Sequence, residues 1–297
     1  MFIIKHKSIF LSISALLVAG AITSLLVFGF HLGIDFKGGT LLEVSYTEER
    51  PSVTTVRAVL AEADLAEAVV QPVAEKDLSV KSRPLSETER TALLADLSID
   101  GAYPLTQTAF TSIGPSVGRE LSQKAVAAVI LVFIGIILFV TMAFRSVTKP
   151  VASWKYGLIV IMALLHDVII AAGVFAAYSH FTGAEVDILI VVAMLTILGT
   201  SVSDTIVIFD RVRENLKMHT SKIFSEMVGK SLTQSFTRSF NTSLTVILVL
   251  IALFLFGPET TKNFALVLIV GMFFGAYSSL FMASPLLVLF EKWNKGK

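Results

Sequence analysis

Two ionisable side chains, Asp204 and Arg238, lie inside separate hydrophobic stretches of the sequence. A charge in the bilayer interior costs about 2.5 to 3.5 kcal/mol on insertion scales, so such a residue usually faces a partner, a water-filled cavity or a proton pathway. Burial favours the neutral form of a carboxyl group, whereas a nearby guanidinium favours the anion, so a small movement can change which form is preferred. These residue types therefore indicate reversible proton binding.

The depths of the polar residues place several helices around one internal zone. At about 1.5 Å per residue from the predicted outer ends of their helices, Asp204 and Arg238 lie about 25 and 28 Å deep, so the two can meet. The pair His166 and Asp167 lies about 18 to 20 Å deep, one or two turns shallower. The residues that could support a proton relay in this zone are His166, Asp167, Ser203, Thr205, Asn241, Thr242, Tyr277 and Ser278.

A proton relay and a static polar knot both account for this zone. In the static alternative, the polar groups only lock the helices together, and Arg238 reaches toward the inner interface. The placement of the charges favours the relay for Asp204 and Arg238. For His166 and Asp167, a helix-packing pair is slightly favoured over a place in the proton path.

The composition is that of an integral membrane protein. Hydrophobic residues make up 54% of the chain and charged residues 16%, and the mean hydropathy is +0.78. Six apolar runs can each span about 30 Å of hydrocarbon as a helix; they lie near residues 8–30, 123–144, 155–179, 187–210, 237–257 and 264–290. The first run could be a signal peptide, but its apolar residues continue to Phe30, which favours a retained anchor. In the last run, Gly271 and Gly275 allow close helix contact, within the chain by default or alternatively between subunits.

The basic residues predict which side of the membrane each loop faces, because Lys and Arg in short loops stay on the cytoplasmic side. With a cytoplasmic N-terminus, the inner segments hold 13 basic residues, Lys149 and Lys297 among them, whereas the outer loops 180–186 and 258–263 hold only Lys262. Both termini are therefore expected in the cytoplasm. Residues 31–120 hold 8 basic and 14 acidic residues, a net charge of −6, and are expected outside it.

The long segment between the first two helices contains both strand and helix patterns. In chain order these predict a strand, a helix, two strands and a last strand, at Gly39 to Tyr46, 54–63, 68–73, 78–82 and 106–112. A second helix is expected after Ser86, which has Glu89 three residues later as in a capping box. This β-α-β-β-α-β order predicts a ferredoxin-like domain. The expected fold class is an α-helical membrane protein, with six transmembrane helices and one small α+β extracytoplasmic domain between helices 1 and 2.

The residue types disfavour several kinds of site. The chain has no cysteine, which excludes disulfides and thiolate metal sites. No His-Glu-x-x-His motif occurs, and the five histidines are dispersed. Gly229-Lys230-Ser231 is similar to the end of a phosphate-binding loop, but Phe224 stands where the first glycine should be. An enzyme, a bound cofactor, a metal site and a nucleic-acid partner are therefore not expected.

Five short strings resemble one family of membrane proteins, in the same order. Residues 33–39 (GIDFKGG), directly after the first helix, resemble the signature of the SecD/SecF family, which assists bacterial protein export and belongs to the resistance-nodulation-division superfamily. Similar strings follow at 112–118 (SIGPSVG), 203–215 (SDTIVIFDRVREN), 237–243 (TRSFNTS) and 277–279 (YSS). Six helices with one outer domain resemble the SecF branch, since SecD carries a larger outer region.

The resemblance implies a proton-driven role in protein export at the bacterial cytoplasmic membrane, with protons as the coupling ion. The implied partners are a SecD-like subunit, the SecYEG channel, the exported unfolded polypeptide and membrane lipids, with YajC as an additional candidate. Asp204 matches the proton-accepting carboxylate of the family and Arg238 its counterpart. Thr200 and Ser203 stand where the family commonly has tyrosine and asparagine, and a hydroxyl offers fewer hydrogen bonds than an amide.

The expected parts of the chain are residues 1–30 (cytoplasmic N-terminus and first helix), 31–120 (outer domain) and 121–297 (helices 2 to 6 and cytoplasmic C-terminus). The joints between them would let the outer domain swing or tilt, and they contain the family residues Asp35, Phe36, Gly38, Gly39, Gly114, Pro115 and Gly118. Two other functions compete. One is a proton-driven small-molecule or lipid exporter of the same superfamily, for which two six-helix halves would be expected, and the other is a structural scaffold.

Overall fold

The structure is a computed structural model that describes residues 2–145 and 151–295. Lys149 and Lys297, which the orientation prediction uses, lie outside these residues. The described residues form mostly helices, together with one four-stranded antiparallel sheet. The chain divides into two compact units, a membrane unit of Met1–His31 with Ala127–Lys297 and a small unit of Leu32–Val126.

Among the described residues, six helices are long and apolar enough to cross a membrane, as the six hydrophobic runs predict. A short helix, α1 (Phe2–Lys5), precedes them. Five of the six are α2 (Lys7–Phe28), α6 (Pro115–Ala143), α7 (Ser153–Thr182), α8 (Ile188–Lys217) and α9 (Phe224–Phe256). The last span is built from α10 (Glu259–Ser278), a π-helix (Ser279–Ala283) and α11 (Ser284–Lys295).

Two helices begin well before the apolar runs that predict them. α9 begins at Phe224 rather than near residue 237, and α6 begins at Pro115 rather than near residue 123. Both extensions are polar, and a helix satisfies its backbone hydrogen bonds internally, so it continues past the hydrocarbon until a local signal ends it. Proline is well suited to the first position of α6, because its missing N–H would have no partner there.

Small residues bring α2 close to α7. A Cβ added at Gly173 of α7 would lie 2.6 Å from the Cα of Ala21 on α2, so no larger residue fits without displacing α2. The Ser24 hydroxyl of α2 donates a hydrogen bond to the Gly173 carbonyl oxygen (2.7 Å). Close approach through small residues, with a polar bond across the contact, is a general way to hold membrane helices together.

The glycine pair of α10 serves the same purpose against α8. A Cβ added at Gly271 would overlap the side chain of Ile197, and one added at Gly275 would lie 3.5 Å from the Cβ of Ser201. Both contacts are within this chain. They agree with local packing, the default interpretation of this glycine pair.

The small unit contains the strands and helices that the sequence predicts. After a one-turn helix, α3 (Ile34–Lys37), it consists of β1 (Gly39–Tyr46), α4 (Val53–Glu62), β2 (Val69–Pro72), β3 (Asp77–Ser82), α5 (Glu87–Leu97) and β4 (Leu105–Ile113). The strand order is β2-β3-β1-β4, and every neighbouring pair is antiparallel. β1 has the predicted bounds, and β4 is one residue longer at each end.

One face of this sheet carries the core of the small unit. Alternate residues of β1, Leu42 and Val44, are fully buried and pack with Val56 and Leu60 of α4 and with Leu93 of α5. This follows from the period of a strand, in which every second side chain points to the same face. The sheet and the two helices therefore enclose one apolar layer.

The start of α5 is fixed by the predicted capping box. The Ser86 hydroxyl accepts a hydrogen bond from the Glu89 backbone N–H (3.3 Å), and Glu89 Oε2 accepts one from the Ser86 N–H (2.8 Å). The hydrogen bond from the Ser86 backbone, then those from the Ser86 hydroxyl and from Arg83, lower the pKa of Glu89 to about 2.

Candidate functional site

Asp167 lies where α7, α8 and α10 meet, and its side chain is fully buried. Its Oδ2 accepts hydrogen bonds from the hydroxyls of Ser201 on α8 (2.5 Å) and Ser278 on α10 (2.8 Å). Its Oδ1 lies 2.8 Å from Nδ1 of His166, the preceding residue of α7. An isolated carboxylate is costly to bury, so these three polar groups are what allow Asp167 to occupy an apolar interior.

The spacing of small residues explains why the three helices can approach Asp167. Gly275 lies one helical turn before Ser278, and a Cβ added to it would lie 3.6 Å from Asp167 Oδ2. On α8, Ser201 faces both Gly275 and Asp167. Glycine and serine leave the helix backbones close together, and the hydroxyls then reach the carboxylate directly.

A π-helix begins directly after Ser278. Ser279, its first residue, shares a hydrogen bond with Thr205 of α8 (2.9 Å between hydroxyl oxygens). Ser278, Ser279 and Thr205 are all buried. Single π turns inside α-helices occur often at functional sites. They interrupt the regular i→i+4 hydrogen bonds and so change the direction in which the side chains at that turn point.

His166 is 2% exposed and lies under the ring of Tyr277, with the two ring centroids 6.1 Å apart and the rings stacked. The Tyr277 hydroxyl does not reach the histidine, since it donates to the carbonyl oxygen of Phe10 on α2 (3.1 Å). With Nδ1 directed to Asp167, the other ring nitrogen, Nε2, has no hydrogen-bond partner among the described residues. Among the described residues, His166 is therefore hydrogen-bonded through Nδ1 only.

Asp204 lies on α8, one turn beyond Ser201, and is half-buried. Its Oδ2 accepts a long hydrogen bond (3.4 Å) from the hydroxyl of Ser243, a buried residue of α9. Asp204 also interacts electrostatically with Asp167. No group of three or more His, Asp or Glu side chains in residues 2–145 and 151–295 is arranged to hold a metal ion.

Arg238 does not meet Asp204, although counting residues along the two helices predicts similar depths for them. Arg238 is exposed on α9, and no ion pair joins it to Asp204 within the described part of the chain. The buried serines of α9, Ser239 and Ser243, are four residues apart and so lie on one face of that helix. Arg238 is offset from that face by one residue, or about 100°. Depth along a helix does not determine which way a side chain points.

The structure brings together only part of the predicted set. It gathers five residues around Asp167 and the π-helix, namely His166, Asp167, Thr205, Tyr277 and Ser278. It leaves four others exposed, namely Ser203, Arg238, Asn241 and Thr242. The hydroxyls of Thr200 and Thr242 donate to carbonyl oxygens of their own helices. Ser203 is exposed, so among the described residues neither departure from the family pattern supplies a hydrogen bond to Asp204.

Two residues of the site, Ser201 and Ser243, were not predicted. Ser201 precedes Asp204 by three positions and Thr205 by four, so it shares a helix face with both. Ser243 follows Ser239 by four positions on the face of α9 that turns toward α8. A small polar residue one helical turn from a candidate charged residue, as Ser201 is from Asp204, was the sequence signal that could have identified such a residue.

The two glycine-containing strings meet inside the small unit. Gly38 and Gly39 have φ values of 81° and 146°, which glycine adopts more readily than other residues. A Cβ added at Gly118 would lie 2.8 Å from the Gly38 nitrogen and 3.0 Å from the carbonyl oxygen of Phe36, and one added at Gly38 would lie 2.9 Å from Pro115 Cα. Phe36 is buried. Two more of the predicted joint residues are Asp35 and Gly114. Asp35 lies in α3, and Gly114 directly precedes α6.

The whole sequence is similar to known protein-export components. A family model described as "Protein export membrane protein SecD/SecF, C-terminal" matches residues 98–293, and one described as "SecD/SecF GG Motif" matches residues 23–49. The protein translocase subunit SecF of Thermobaculum terrenum is 38% identical over 97% of this chain and 93% of that protein. The corresponding subunit of Synechocystis is 36% identical over 90% and 85%.

Solved structures agree with these sequence matches. The crystal structure of SecDF, a translocon-associated membrane protein from Thermus thermophilus, has a TM-score of 0.82 and 34% identity over 97% of this chain. SecDF in its super-membrane-facing form has a TM-score of 0.67 and 32% identity over 100% of this chain. This chain covers 38% and 39% of those two longer chains. With two matching family models and relatives of this identity along nearly its full length, the chain belongs to the SecD/SecF family of protein export membrane proteins.

Proposed function

We propose that this chain is an accessory subunit of the Sec protein translocase and uses the proton-motive force to assist protein export across the bacterial cytoplasmic membrane. The observation that carries the export role is the similarity to proteins named translocase subunit SecF along 97% of the chain, at 38% identity. Six apolar helices agree with a multi-pass protein of that membrane. In this proposal the chain is a coupling component rather than an enzyme.

Protons are the proposed coupling ion, and Asp204 is the residue that takes them up. Asp204 is a half-buried carboxylate in a membrane helix, and the one hydrogen bond it makes with the described residues, from Ser243, is long. A carboxylate that is weakly held can exchange a proton more readily than one enclosed by several donors, as Asp167 is. Each charge that crosses the membrane potential releases about 2.3 kcal/mol per 100 mV, which can bias a two-state element.

The movement follows from the contact between α8 and α9. In the proposed cycle, proton uptake by Asp204 from the outer side separates it from Arg238, and proton loss to the inside restores the pair. The separation of Asp204 from Arg238 described above supports one of these two arrangements. Small residues such as Ser239 and Ser243 line the contact, so α9 can turn against α8 and bring Arg238 toward Asp204 without displacing large side chains.

The small unit is assigned to the outer face as a ferredoxin-like domain. The strand order β2-β3-β1-β4, with antiparallel neighbours and two helices over one face, supports that topology. Its acidic composition and the basic residues of the opposite loops support its location outside the cytoplasm, with both chain termini inside. The division into 1–30, 31–120 and 121–297 follows from the same argument.

The proposed partners follow from the family. SecDF is the name of both solved relatives, in which the part similar to this chain belongs to a longer chain, and this supports a SecD-like subunit as the direct partner. The SecYEG channel, the exported unfolded polypeptide, membrane lipids and YajC complete the set. Exposed apolar side chains on α6 and α9, such as Leu131 and Val249, offer lipid or a partner helix a contact surface.

The proposal is tested by Asp204→Asn in membrane vesicles that export a reporter protein. The amide keeps the size of the side chain and can still accept the Ser243 hydrogen bond, but it cannot carry a proton. Stimulation of export by a proton gradient should be lost, while export without a gradient should be unchanged. Asp100→Asn is the matched control, since Asp100 lies in the small unit with a φ of 55° that asparagine also tolerates. Full stimulation in Asp204→Asn would contradict the proposed role.

A further inference from the structure

We propose that Nε2 of His166 is a second proton-accepting site inside the membrane unit, whose cation is stabilised by the adjacent carboxylate of Asp167. This proposal rests on the proton-driven function proposed above and adds to it a site apart from Asp204. The resemblance to the SecD/SecF family assigns the proton to Asp204 and Arg238, and it assigns no role to this histidine.

The hydrogen bonds around Asp167 determine where protons can go. In the proposed arrangement Asp167 is ionised, and its Oδ2 accepts hydrogen bonds from the two hydroxyls of Ser201 and Ser278. An ionised carboxylate can only accept, so in this arrangement Nδ1 of His166, 2.8 Å from Oδ1, carries a hydrogen. In the neutral imidazole the lone pair is then on Nε2, which has no partner among the described residues.

A proton at Nε2 gives a more balanced arrangement than the neutral ring. The imidazolium and Asp167 then form a pair without net charge in the interior, whereas the neutral ring leaves a single buried negative charge. The two side chains are 2% and 0% exposed, so water does not screen this difference. A histidine whose Nδ1–H is oriented by a carboxylate and whose Nε2 exchanges a proton is a recurring arrangement in proteins.

The groups that face His166 leave Nε2 as the position for exchange. Asp167 on α7 takes Nδ1, and on α10 the ring of Tyr277 covers the imidazole while its hydroxyl is bound to the Phe10 carbonyl oxygen of α2. From α8 the titratable group is Asp204, which interacts electrostatically with Asp167. A positive charge on His166 therefore changes the field at Asp204, which links the two proton sites.

The protonation of His166 can be observed directly by nitrogen NMR of the full chain, labelled with ¹⁵N-histidine and reconstituted in lipid bilayers with its SecD-like partner. His166→Asn identifies the signal by difference. We expect an imidazolium signal from His166 in the protein with Asp167 intact, in addition to the Nδ1–H neutral form. Asp167→Asn should abolish the imidazolium signal under the same conditions. A ring that stays neutral throughout, or an imidazolium that persists in Asp167→Asn, would overturn the proposal.

The same variants distinguish this proposal from the role of Asp204. His166→Asn keeps an N–H donor for Asp167 but has no basic nitrogen, so it should reduce gradient-stimulated export while the chain folds normally. His219→Asn is the control, because His219 is exposed with a φ of 51° that asparagine adopts easily. If His166 never ionises but Asp204→Asn abolishes stimulation, only the proposal of a second proton site at His166 is wrong. If His166 ionises and Asp204→Asn is fully stimulated, the proposed role of Asp204 is wrong instead.

Discussion

Asp167 and Asp204 are two carboxylates on neighbouring helices with different surroundings. Asp167 is fully buried and contacts three polar groups, whereas Asp204 is half-buried and contacts one at 3.4 Å. A buried carboxylate that loses a donor is left with an uncompensated part of its desolvation cost. The hydroxyls around Asp167 therefore contribute to stability, while the long hydrogen bond from Ser243 compensates the burial of Asp204 less well.

Removing one of these hydroxyls should destabilise the protein. In Ser201→Ala, Asp167 loses its 2.5 Å hydrogen bond, and we expect the free energy of unfolding to fall by about 1 to 3 kcal/mol, because a buried polar group is left with one donor fewer. Chemical unfolding of the purified chain in detergent measures this. Ser203→Ala is the matched control on the same helix, since Ser203 is exposed and its loss should change stability by less than about 0.5 kcal/mol. Equal effects of the two substitutions would contradict this account.

The sequence predicted that Asp204 and Arg238 can meet, whereas the structure places the Ser243 hydroxyl against Asp204. Depth follows from residue number, because each residue advances a helix by about 1.5 Å. Direction depends on how α8 and α9 are rotated against each other, and that depends on packing of side chains from both helices. Arg238 lies on the exposed side of α9, five residues from Ser243, which contacts Asp204 and was not predicted.

The start of α5 and the contact between α8 and α10 show two ways in which an element is positioned. A capping box is local and was predicted from Ser86 and Glu89 alone, because both partners lie within one turn. The approach of α10 to α8 depends on what stands opposite Gly271 and Gly275, which no local pattern reveals. The glycine pair indicated close contact, and the structure identifies the partner as α8.

The capping box makes α5 sensitive to acid. The folded pKa of Glu89 is about 2, below its ordinary value of 4.5, so the carboxylate stabilises the folded state above pH 4.5 and this stabilisation is lost as the pH falls toward 2. Hydrogen exchange of the first-turn amides of α5, measured on the full chain, should show protection decreasing over that interval. Glu89→Gln keeps an acceptor for the Ser86 N–H but cannot titrate, so its protection should not follow this acid dependence. The same pH profile in both proteins would show that another group is responsible.

The contact of α10 with α8 should not tolerate a single added methyl group at Gly271. Gly271→Ala places a Cβ against Ile197, and we expect a loss of about 1 to 3 kcal/mol, as for other overpacked contacts. Gly199→Ala is the matched control, because a Cβ there meets nothing within 4 Å. That variant should be unchanged or more stable by up to about 1 kcal/mol, since alanine favours the helix. Thermal unfolding in detergent compares them; a Gly271→Ala variant as stable as Gly199→Ala would show that α10 can move away freely.

For the whole molecule, what could be predicted depends on whether a segment is expected in lipid, as the membrane helices are, or in water, as the small unit is. Apolar runs long enough for the bilayer predicted all six spans, and alternation predicted β1 to the residue. The packing of the membrane helices was not predictable in the same way, because lipid-facing and helix-facing side chains are both apolar and periodicity does not separate them. Polar residues such as Ser201, Ser278 and Thr205 mark the internal faces more reliably than leucine or valine does.

The π-helix at Ser279–Ala283 divides the last span into two segments that are out of phase. A π turn closes i→i+5 rather than i→i+4, so it contains one surplus residue and rotates everything beyond it by about 100° relative to an uninterrupted α-helix. Residues of α10 and α11 that an uninterrupted helix would place on one face therefore lie on different faces of the span. Ser278, which donates to Asp167, is the last residue before this change of phase. The π-helix therefore lets the first segment of the span direct a hydroxyl at the buried carboxylate while the second segment keeps a different face toward its own neighbours.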